Sequence, residues 1–261
     1  MQAADILKNE FPKVSEEDTV SKLVGHCIKY HISSALVFRG KEFIGIIDKK
    51  DLPHSKMNLA EMKMKHICRP CHRLNKTDNE KEMAKQFLSA NAHILPVFEK
   101  GKFLGIVHDL DLLQVIQDTK PVGSIAKKAR VIKDTDAIGT VLHLMHNLRI
   151  DRLPVVDKSG KLVGICSLSD MLAQFLAFPI KRAGGGGSGR RLPTSHPARE
   201  THLLDLPVMD VTNIQVITVK PNESIKNAIQ LMQKNEVSSL VLEENGEVKG
   251  ILTVTNLLNR I

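Results

Sequence analysis

Four short segments of the chain place a polar or ionisable side chain three residues after a glycine, and an acid or amide three residues further on. They read Gly45-Ile-Ile-Asp-Lys-Lys-Asp51, Gly105-Ile-Val-His-Asp-Leu-Asp111, Gly164-Ile-Cys-Ser-Leu-Ser-Asp170 and Gly250-Ile-Leu-Thr-Val-Thr-Asn256. A few polar groups on an otherwise apolar unit favour binding over catalysis. Because no nucleophile with a base and an orienting group accompanies them, we predict that the chain is not an enzyme and has no catalytic residues.

A second group of reactive side chains is the segment His66-Ile-Cys-Arg-Pro-Cys-His72. Cys-x-x-Cys-His is the haem attachment pattern of exported c-type proteins, and nothing in the sequence directs export. Two thiolates and two imidazoles could also bind zinc, although the usual second half of a zinc site is missing at a distance. We therefore predict no metal site and a core position for Cys68, and keep metal sensing through this segment as an alternative.

The glycines of the four motifs, at positions 45, 105, 164 and 250, lie 60, 59 and 86 residues apart. A regular interval of this length indicates one supersecondary unit used four times. In the third copy, a short apolar run precedes apolar residues at helical spacing over 137–148, with Asp134 or Asp136 as the N-cap. Two strands joined by a turn and a final helix over 168–177 follow, so the order is strand, helix, strand, strand, helix.

The other three copies follow the same layout. Their helices are predicted at 20–30, 80–90 and 224–234. In the fourth copy, Asn245-Gly246 predicts a tight hairpin between the two strands, because both residues tolerate positive φ.

The composition limits the kind of protein. Apolar residues make up 42% of the chain, enough for a core, and aromatic residues only 3%, so we expect the core to be aliphatic. Scarce aromatic rings also argue against nucleic acid as a partner. No apolar stretch approaches the ~18 residues of a membrane span, and the N-terminus lacks a secretory signal. We therefore expect a cytoplasmic protein with reduced thiols and no membrane contact.

The last interval is longer because of extra residues between Phe178 and Leu206. The run Gly184-Gly-Gly-Gly-Ser-Gly189 and the basic, proline-containing stretch after it predict a flexible linker over 179–205. About half of the net charge of +8 falls in residues 181–200. We divide the chain into a first pair of repeats at 1–118 (about 1–56 and 64–118) and a second pair at 119–261 (about 119–178 and 206–261).

A repeat that contains Arg152-Leu-Pro-Val-Val-Asp157 and closes on Gly164-Ile-Cys-Ser-Leu-Ser-Asp170 resembles CBS domains, which are named for cystathionine β-synthase. Residues 149–156 and 164–171 are also similar to the gamma subunit of AMP-activated protein kinase. The resemblance covers nearly the whole chain except 179–205. It implies an α/β (α+β) fold of four β-α-β-β-α CBS repeats, packed as two pseudo-two-fold pairs.

The resemblance also implies ligand sites, because paired CBS repeats hold adenine nucleotides or S-adenosylmethionine in the clefts between them. In the third repeat, Asp170 would accept hydrogen bonds from both ribose hydroxyls, since an ionised carboxylate only accepts. Ser167 would donate its hydroxyl towards the ribose or phosphate. The fourth repeat would close this cleft with Thr218 and Ser239.

The mirror cleft would contain Thr253 and Asn256 in the corresponding roles. An amide can accept one ribose hydrogen bond and donate another, so it is a weaker version of the carboxylate. Arg149 and Arg152 of the third repeat would face this cleft and pair with phosphate.

The first pair departs further from the pattern. Asp111 keeps the acid, but His108 replaces the hydroxyl and would contact phosphate best when protonated. In the first repeat, Asp48 and Asp51 put two carboxylates where phosphate would lie. We expect that cleft to stay empty or to bind a neutral or cationic ligand.

The sequence therefore predicts a cytoplasmic ligand-sensing regulatory module that needs no cofactor. Its adenosine-type ligand would be AMP, ADP, ATP or S-adenosylmethionine, and its output would go to an effector protein or to self-association into a disc. The alternative is a non-catalytic interaction scaffold with decayed nucleotide sites. Such a scaffold would bind an acidic protein or nucleic acid through its basic linker and surface, with a steep dependence on salt.

Overall fold

The computed structural model of the chain describes residues 1–30, 33–49, 62–171 and 203–261. Asp51, nearly all of the predicted linker and most of the final helix predicted at 168–177 lie outside the described residues. Within those ranges each repeat contributes one three-stranded sheet with helices packed on it. The mixed α+β architecture of four like repeats is thus confirmed.

In the first repeat the elements are β1 (Lys13–Ser15), α1 (Val20–Tyr30), β2 (Ser34–Arg39) and β3 (Glu42–Asp48). In the second repeat they are β4 (Leu74–Asn75), α2 (Glu80–Ala90), β5 (Ile94–Glu99), β6 (Lys102–His108) and α3 (Asp109–Leu112). The third repeat has β7 (Ile132–Lys133), α4 (Ile138–Leu148), β8 (Arg152–Val156) and β9 (Leu162–Ser167). The fourth has β10 (Thr218–Val219), α5 (Ile225–Lys234), β11 (Ser239–Glu244), β12 (Glu247–Thr253) and α6 (Val254–Leu258). None of the helices in the described ranges is both long and apolar enough to cross a membrane.

All four sheets have the same topology. The first strand runs parallel to the second, and the third runs antiparallel to the second. The helix provides the crossover that parallel strands need, and a tight turn joins the antiparallel strands. In the fourth repeat both turn residues have positive φ, 55° at Asn245 and 84° at Gly246. This confirms the hairpin predicted from the Asn-Gly pair.

The residues before the first strand of each repeat pack on the partner repeat of the pair. We call them the leading segments: residues 2–9, 62–70, 121–130 and 206–214. One residue of each forms an antiparallel bridge with the isoleucine after a motif glycine: Lys8 with Ile106, Arg69 with Ile46, Lys127 with Ile251 and Asn213 with Ile165. Each repeat therefore completes the sheet edge of its partner, and this reciprocal exchange gives each pair its pseudo-two-fold arrangement.

The motif glycines are required by this exchange, because the backbone of the partner passes directly over them. A Cβ atom on Gly105 would lie only 2.4 Å from Lys8 O. At the other three motif glycines, the distance from a Cβ atom to a carbonyl oxygen of the adjoining leading segment would be between 2.4 and 2.9 Å. The glycine of each motif is thus explained by contact between repeats, independently of any ligand.

The leading segments also provide acceptors for N–H groups at helix starts, which have no partner within the helix. Ile138 N–H, at the start of α4, donates to Leu206 O at 2.9 Å. The predicted aspartate N-cap of α4 is wrong, because Ala137 precedes the helix without a side-chain cap. Asp136 instead accepts a hydrogen bond of 2.9 Å from Lys133 N–H.

The core of the first pair is not purely aliphatic, which corrects the expectation from composition. Five of the eight phenylalanines gather between its two sheets, with neighbouring ring centroids 5.2–6.5 Å apart: Phe11, Phe38, Phe43, Phe98 and Phe103. Most of these contacts are edge-on or tilted, the arrangement that aromatic rings prefer. The described part of the second pair contains no phenylalanine, so its core is aliphatic as expected.

The two pairs pack on each other through their helices. Helices α1 and α4, of the first and third repeats, belong to one apolar cluster that includes Leu23 and Val141. Helices α2, α5 and α6, of the second and fourth repeats, belong to another that includes Phe87 and Leu257. The first repeat therefore faces the third, and the second faces the fourth, within one chain.

Substitution of Gly105 by alanine tests the exchange of leading segments. The added Cβ would overlap Lys8 O, so we expect the free energy of unfolding to fall by about 1–3 kcal/mol in urea denaturation. Gly25 lies in α1 with open space around its Cβ position and provides the matched control. Gly25→Ala should raise the free energy of unfolding by about 0.5–1 kcal/mol because alanine favours the helix. Equal effects of the two substitutions would contradict the proposed role of Gly105.

Candidate functional site

The third repeat carries the most complete motif, where β9 ends and residues 168–171 are helical. Ser167 Oγ and Ser167 N–H both donate to Asp170 Oδ2, at 2.6 and 3.0 Å, and Asp170 N–H donates to Ser167 Oγ at 3.2 Å. This reciprocal pattern is a capping box, which fixes both side chains at the start of the helix. Asp170 Oδ1 takes part in none of these three bonds. The motif therefore has a structural role beside its predicted binding role.

Arg152 lies next to Ser167, because the β8–β9 ladder pairs these two residues directly. Directly opposed residues of antiparallel strands project to the same face, with Cβ atoms about 4.5–5.5 Å apart. The matching pair in the first repeat does meet, since Ser34 Oγ donates to Asp48 Oδ2 at 2.6 Å. The register thus places Arg152 beside Ser167 at the end of the third-repeat hairpin. Its predicted contact with phosphate in the Thr253 cleft stays a prediction.

The fourth repeat forms the same capping box with neutral side chains. Thr253 Oγ1 and N–H donate to Asn256 Oδ1 at 2.9 and 3.0 Å, and Asn256 N–H donates to Thr253 Oγ1 at 3.2 Å. Ser239 is paired with Thr253 in the β11–β12 ladder, so it adjoins this motif, and its predicted contact in the Asp170 cleft stays a prediction. Its buried hydroxyl has no hydrogen-bond partner among the described residues, a deficit that a polar ligand group could satisfy.

Two other predicted residues lie at the margins of these clefts. Thr218 begins β10 and pairs with Val241 of β11, and its contact with a ligand stays a prediction. Arg149 directly follows α4 in a left-handed conformation, with φ of 52°, and its side chain is exposed. Its predicted pairing with phosphate also stays a prediction.

In the second repeat, a buried carboxylate connects two histidines. Asp109, the first residue of α3, has Oδ2 2.7 Å from His93 Nδ1 and Oδ1 2.8 Å from His108 Nδ1. Burial by itself raises the pKa of Asp109, but the charges and hydrogen bonds of the two histidines outweigh it and hold the pKa well below its ordinary value. The predicted ligand contact of His108 therefore competes with a contact inside its own repeat. Asp109 is not among the residues predicted from the sequence, although an acid beside the motif histidine is a visible signal.

Asp111 forms an ion pair across the pair of repeats, with Lys8 Nζ 2.7 Å from Asp111 Oδ2. Lys8 lies in the leading segment of the first repeat, at the place that Arg69 and Lys127 occupy in two other leading segments. Three of the four clefts thus adjoin a basic residue of the partner's leading segment. These basic residues are not among those predicted from the sequence, because the family resemblance points to basic groups near the Leu-Pro-Val strand. Alignment of the four leading segments by repeat would have found them.

The first-repeat cleft contains a fully buried carboxylate, Asp48, which already accepts the hydrogen bond from Ser34. Asp51, its expected companion, lies outside the described residues. The expectation that this cleft stays empty or takes a neutral or cationic ligand therefore stays a prediction.

The two thiols of the Cys-x-x-Cys-His segment lie in different surroundings. In the described part of the chain, no group of three or more histidine, cysteine, aspartate or glutamate residues is placed to hold a metal ion. Cys68 and Cys71 pack, partly buried, against different apolar clusters. Burial raises the pKa of the Cys68 thiol, and raises that of Cys71 to about 12. Both shifts disfavour the thiolate that metal binding and redox chemistry need.

The fold and the clefts together define a class of protein: paired βαββα repeats that exchange leading segments and place a polar motif at the end of each hairpin. The chain belongs to the CBS domain family. A family model of the CBS domain matches residues 3–54, 65–118, 122–177 and 208–261. The resemblance seen in the sequence is thereby confirmed for four CBS domains.

Similar proteins occur in archaea. MJ1404 of Methanocaldococcus jannaschii is 22% identical over 267 residues, which cover 98% of this chain and 61% of that protein. The chain thus spans about three fifths of the length of this relative. The crystal structure of MJ1225 from the same organism, described as a proposed archaeal homologue of γ-AMPK, has a TM-score of 0.82 at 19% identity and covers 100% of this chain and 99% of its own. A conserved protein of Pyrococcus horikoshii has a TM-score of 0.63 at 18% identity, with the same coverage. At these identities the likeness shows the fold.

Substitution of Asp109 by asparagine tests the buried histidine–carboxylate cluster. The amide keeps the size but loses the charge that both histidines face, so we expect the free energy of unfolding to fall by about 1–3 kcal/mol. Because the pKa of Asp109 is lowered in the fold, its carboxylate stabilises the protein fully above its ordinary pKa of 3.8. This contribution is lost as the pH falls through and below that value. Urea unfolding of both proteins should show a difference that is largest above about pH 5 and shrinks towards about pH 3. A difference that stays constant with pH would contradict this account.

Proposed function

We propose that the chain is a regulatory module that binds an adenosine-type ligand between paired CBS repeats and passes the signal to a partner protein. The observation that carries this proposal is that Ser167 and Asp170 form one capping box, while Arg152 is paired with Ser167 in the adjoining strand. A hydroxyl, a carboxylate and a guanidinium are the groups needed for a ribose and a phosphate on the same ligand.

The chemistry of the third-repeat cleft favours a nucleotide. Asp170 uses one carboxylate oxygen in the capping box, which leaves the other to accept from a ribose hydroxyl. Arg152 can pair with a phosphate, and its positive charge disfavours the sulfonium of S-adenosylmethionine. We therefore place AMP, ADP and ATP before S-adenosylmethionine as ligands.

The second pair is better suited to a nucleotide than the first. The fourth-repeat cleft offers Thr253, Asn256 and the unpaired hydroxyl of Ser239. In the first pair, by contrast, Asp111 is already paired with Lys8, and His108 with Asp109. Binding there competes with these two close contacts, whereas in the third-repeat cleft it competes with the longer Arg152–Asp151 pair of 3.5 Å. We therefore expect the second pair of repeats to bind more tightly.

The output of the module would be a change in how its repeats pack. A ligand that contacts both repeats of a pair shifts the population towards the closed arrangement, and a partner that prefers this arrangement reads the shift. The partner is an effector protein or a second copy of the chain. The proposal needs no catalytic cofactor and no enzymatic activity.

Isothermal titration of the chain with AMP, ADP, ATP and S-adenosylmethionine tests the proposal. We expect at least one nucleotide to bind with a micromolar dissociation constant. Asp170→Asn should weaken binding about ten-fold, because one charge-assisted hydrogen bond to the ribose is lost. The same variant should keep its thermal midpoint, because Asn256 shows that an amide at this position preserves the capping box.

Asp170→Ala is the companion variant, since it removes both the ribose acceptor and the capping box. It should lose affinity and also stability, by about 1 kcal/mol. An absence of binding heat with all four ligands would contradict the proposal of a nucleotide ligand. It would favour the interaction scaffold, whose binding to acidic partners should fall steeply with added salt.

A further inference from the structure

One buried ion pair joins the two pairs of repeats. Lys49, at the end of β3 in the first repeat, is only 3% exposed, and its Nζ lies 3.0 Å from Asp151 Oδ2 in the third repeat. The same ammonium donates to Ser169 Oγ at 3.1 Å. A buried ammonium is costly unless it is paired, so this contact is a strong constraint on how the first repeat meets the third.

Asp151 also contacts the third-repeat cleft. Its Oδ1 lies 3.5 Å from Arg152 Nε, and its carbonyl oxygen accepts a hydrogen bond of 2.7 Å from Leu168 N–H, next to Ser167. Arg152 Nε is buried and makes no hydrogen bond with any described residue. Arg152 is therefore held by Asp151 through charge alone, without a hydrogen bond from this nitrogen that would fix its position.

This arrangement is peculiar to the contact between the first and third repeats. Every repeat has the same backbone hydrogen bond at this place. The residue that follows the third strand donates its N–H to the carbonyl oxygen of the residue that precedes the second strand: Lys49 to Ser33, Asp109 to His93, Leu168 to Asp151 and Val254 to Ser238. Among the described residues of these eight positions, opposite charges meet across the interface only between the first and third repeats, where Lys49 faces Asp151. The ion pair is thus a feature of this sequence and not a requirement of the backbone.

We propose that Asp151 is a positioning residue shared by the third-repeat cleft and the interface between the pairs, and that it couples binding of an anionic ligand to the Lys49–Asp151 contact. This rests on the proposed function, since it concerns regulation of the same cleft. A phosphate beside Arg152 competes with Asp151 for the guanidinium. When the phosphate takes Arg152, the carboxylate is left to Lys49, and the first and third repeats are held more firmly.

The coupling must act in both directions. Removal of the Lys49 charge takes away one of the cations that face Asp151. This strengthens the attraction between Asp151 and Arg152 and makes Arg152 less available to phosphate. Among the described residues, Lys49 contacts the third repeat at Asp151 and Ser169, and Asp151 is the contact that in turn faces the Arg152 guanidinium. Any effect of Lys49 on affinity should therefore depend on the charge of the ligand and not on its nucleoside.

Titration of AMP and adenosine into the chain and its Lys49→Met variant tests the coupling. We expect Lys49→Met to weaken the affinity for AMP about five-fold and to leave the affinity for adenosine unchanged. Lys49→Arg, which keeps the charge, should restore AMP affinity. Lys22→Met is the matched control, because Lys22 forms an exposed ion pair with Asp18 inside the first repeat, and it should change neither ligand.

The outcomes separate the two proposals. If neither AMP nor adenosine binds the unsubstituted chain, the proposed function fails and the coupling fails with it. If AMP binds the unsubstituted chain but Lys49→Met weakens the affinities for AMP and adenosine equally, only the coupling is overturned. The same holds if Lys49→Met changes neither affinity. Should Lys49→Met unfold, Asp151→Asn provides the second test. It releases Arg152, so AMP should bind several-fold more tightly with adenosine unchanged, and weaker or equal AMP binding would overturn the coupling.

Discussion

The backbone contact between each motif glycine and the leading segment of the partner repeat is the constraint on which the rest of the structure depends. It requires a residue without a side chain, since a Cβ atom would lie within 2.9 Å of a carbonyl oxygen at every copy. The contact adds a one-residue antiparallel bridge from the partner to each sheet edge and brings acceptors to helix starts. It also determines where the clefts lie, because the polar side chain of each motif comes three residues after the glycine, at the end of the same strand.

Charged side chains in poorly solvated positions determine how the two pairs of repeats pack on each other. Lys49 meets Asp151 where the first repeat faces the third, whereas Asp109 is satisfied by His93 and His108 where the second faces the fourth. If the second repeat faced the third instead, the buried carboxylate of Asp109 and the partly buried carboxylate of Asp151 would approach each other, and Lys49 would lose its acidic partner. Like charges brought together in a poorly solvated interface are a strong penalty, so these residues select one of the two ways in which the pairs could meet.

Much of the fold could be predicted from the sequence, because apolar periodicity reports which face of an element is buried. The helices expected at 20–30 and 80–90 have those bounds in the structure. The predictions that failed depend on contacts between distant parts of the chain. The N-cap of α4 was wrong because Leu206 provides the acceptor. The aromatic cluster could not be inferred from composition, since five rings are few in 261 residues yet converge on one interface. The hairpin register also pairs Arg152 with Ser167, a neighbour that the strand assignment alone could have predicted.

The reciprocal exchange of leading segments has a consequence for how such a chain can arise and be divided. A single repeat made alone would carry an uncovered sheet edge, beside a glycine with nothing packed on it, and a leading segment with no surface to occupy. In a symmetric homodimer of single repeats, the leading segment of each copy could cover the sheet edge of the other. Such a homodimer is therefore a feasible ancestor, whereas a monomeric single repeat is not. Gene duplication and fusion would then preserve repeats in even numbers. Later divergence, such as aspartate at position 170 against asparagine at 256, became possible only once the two halves were encoded separately.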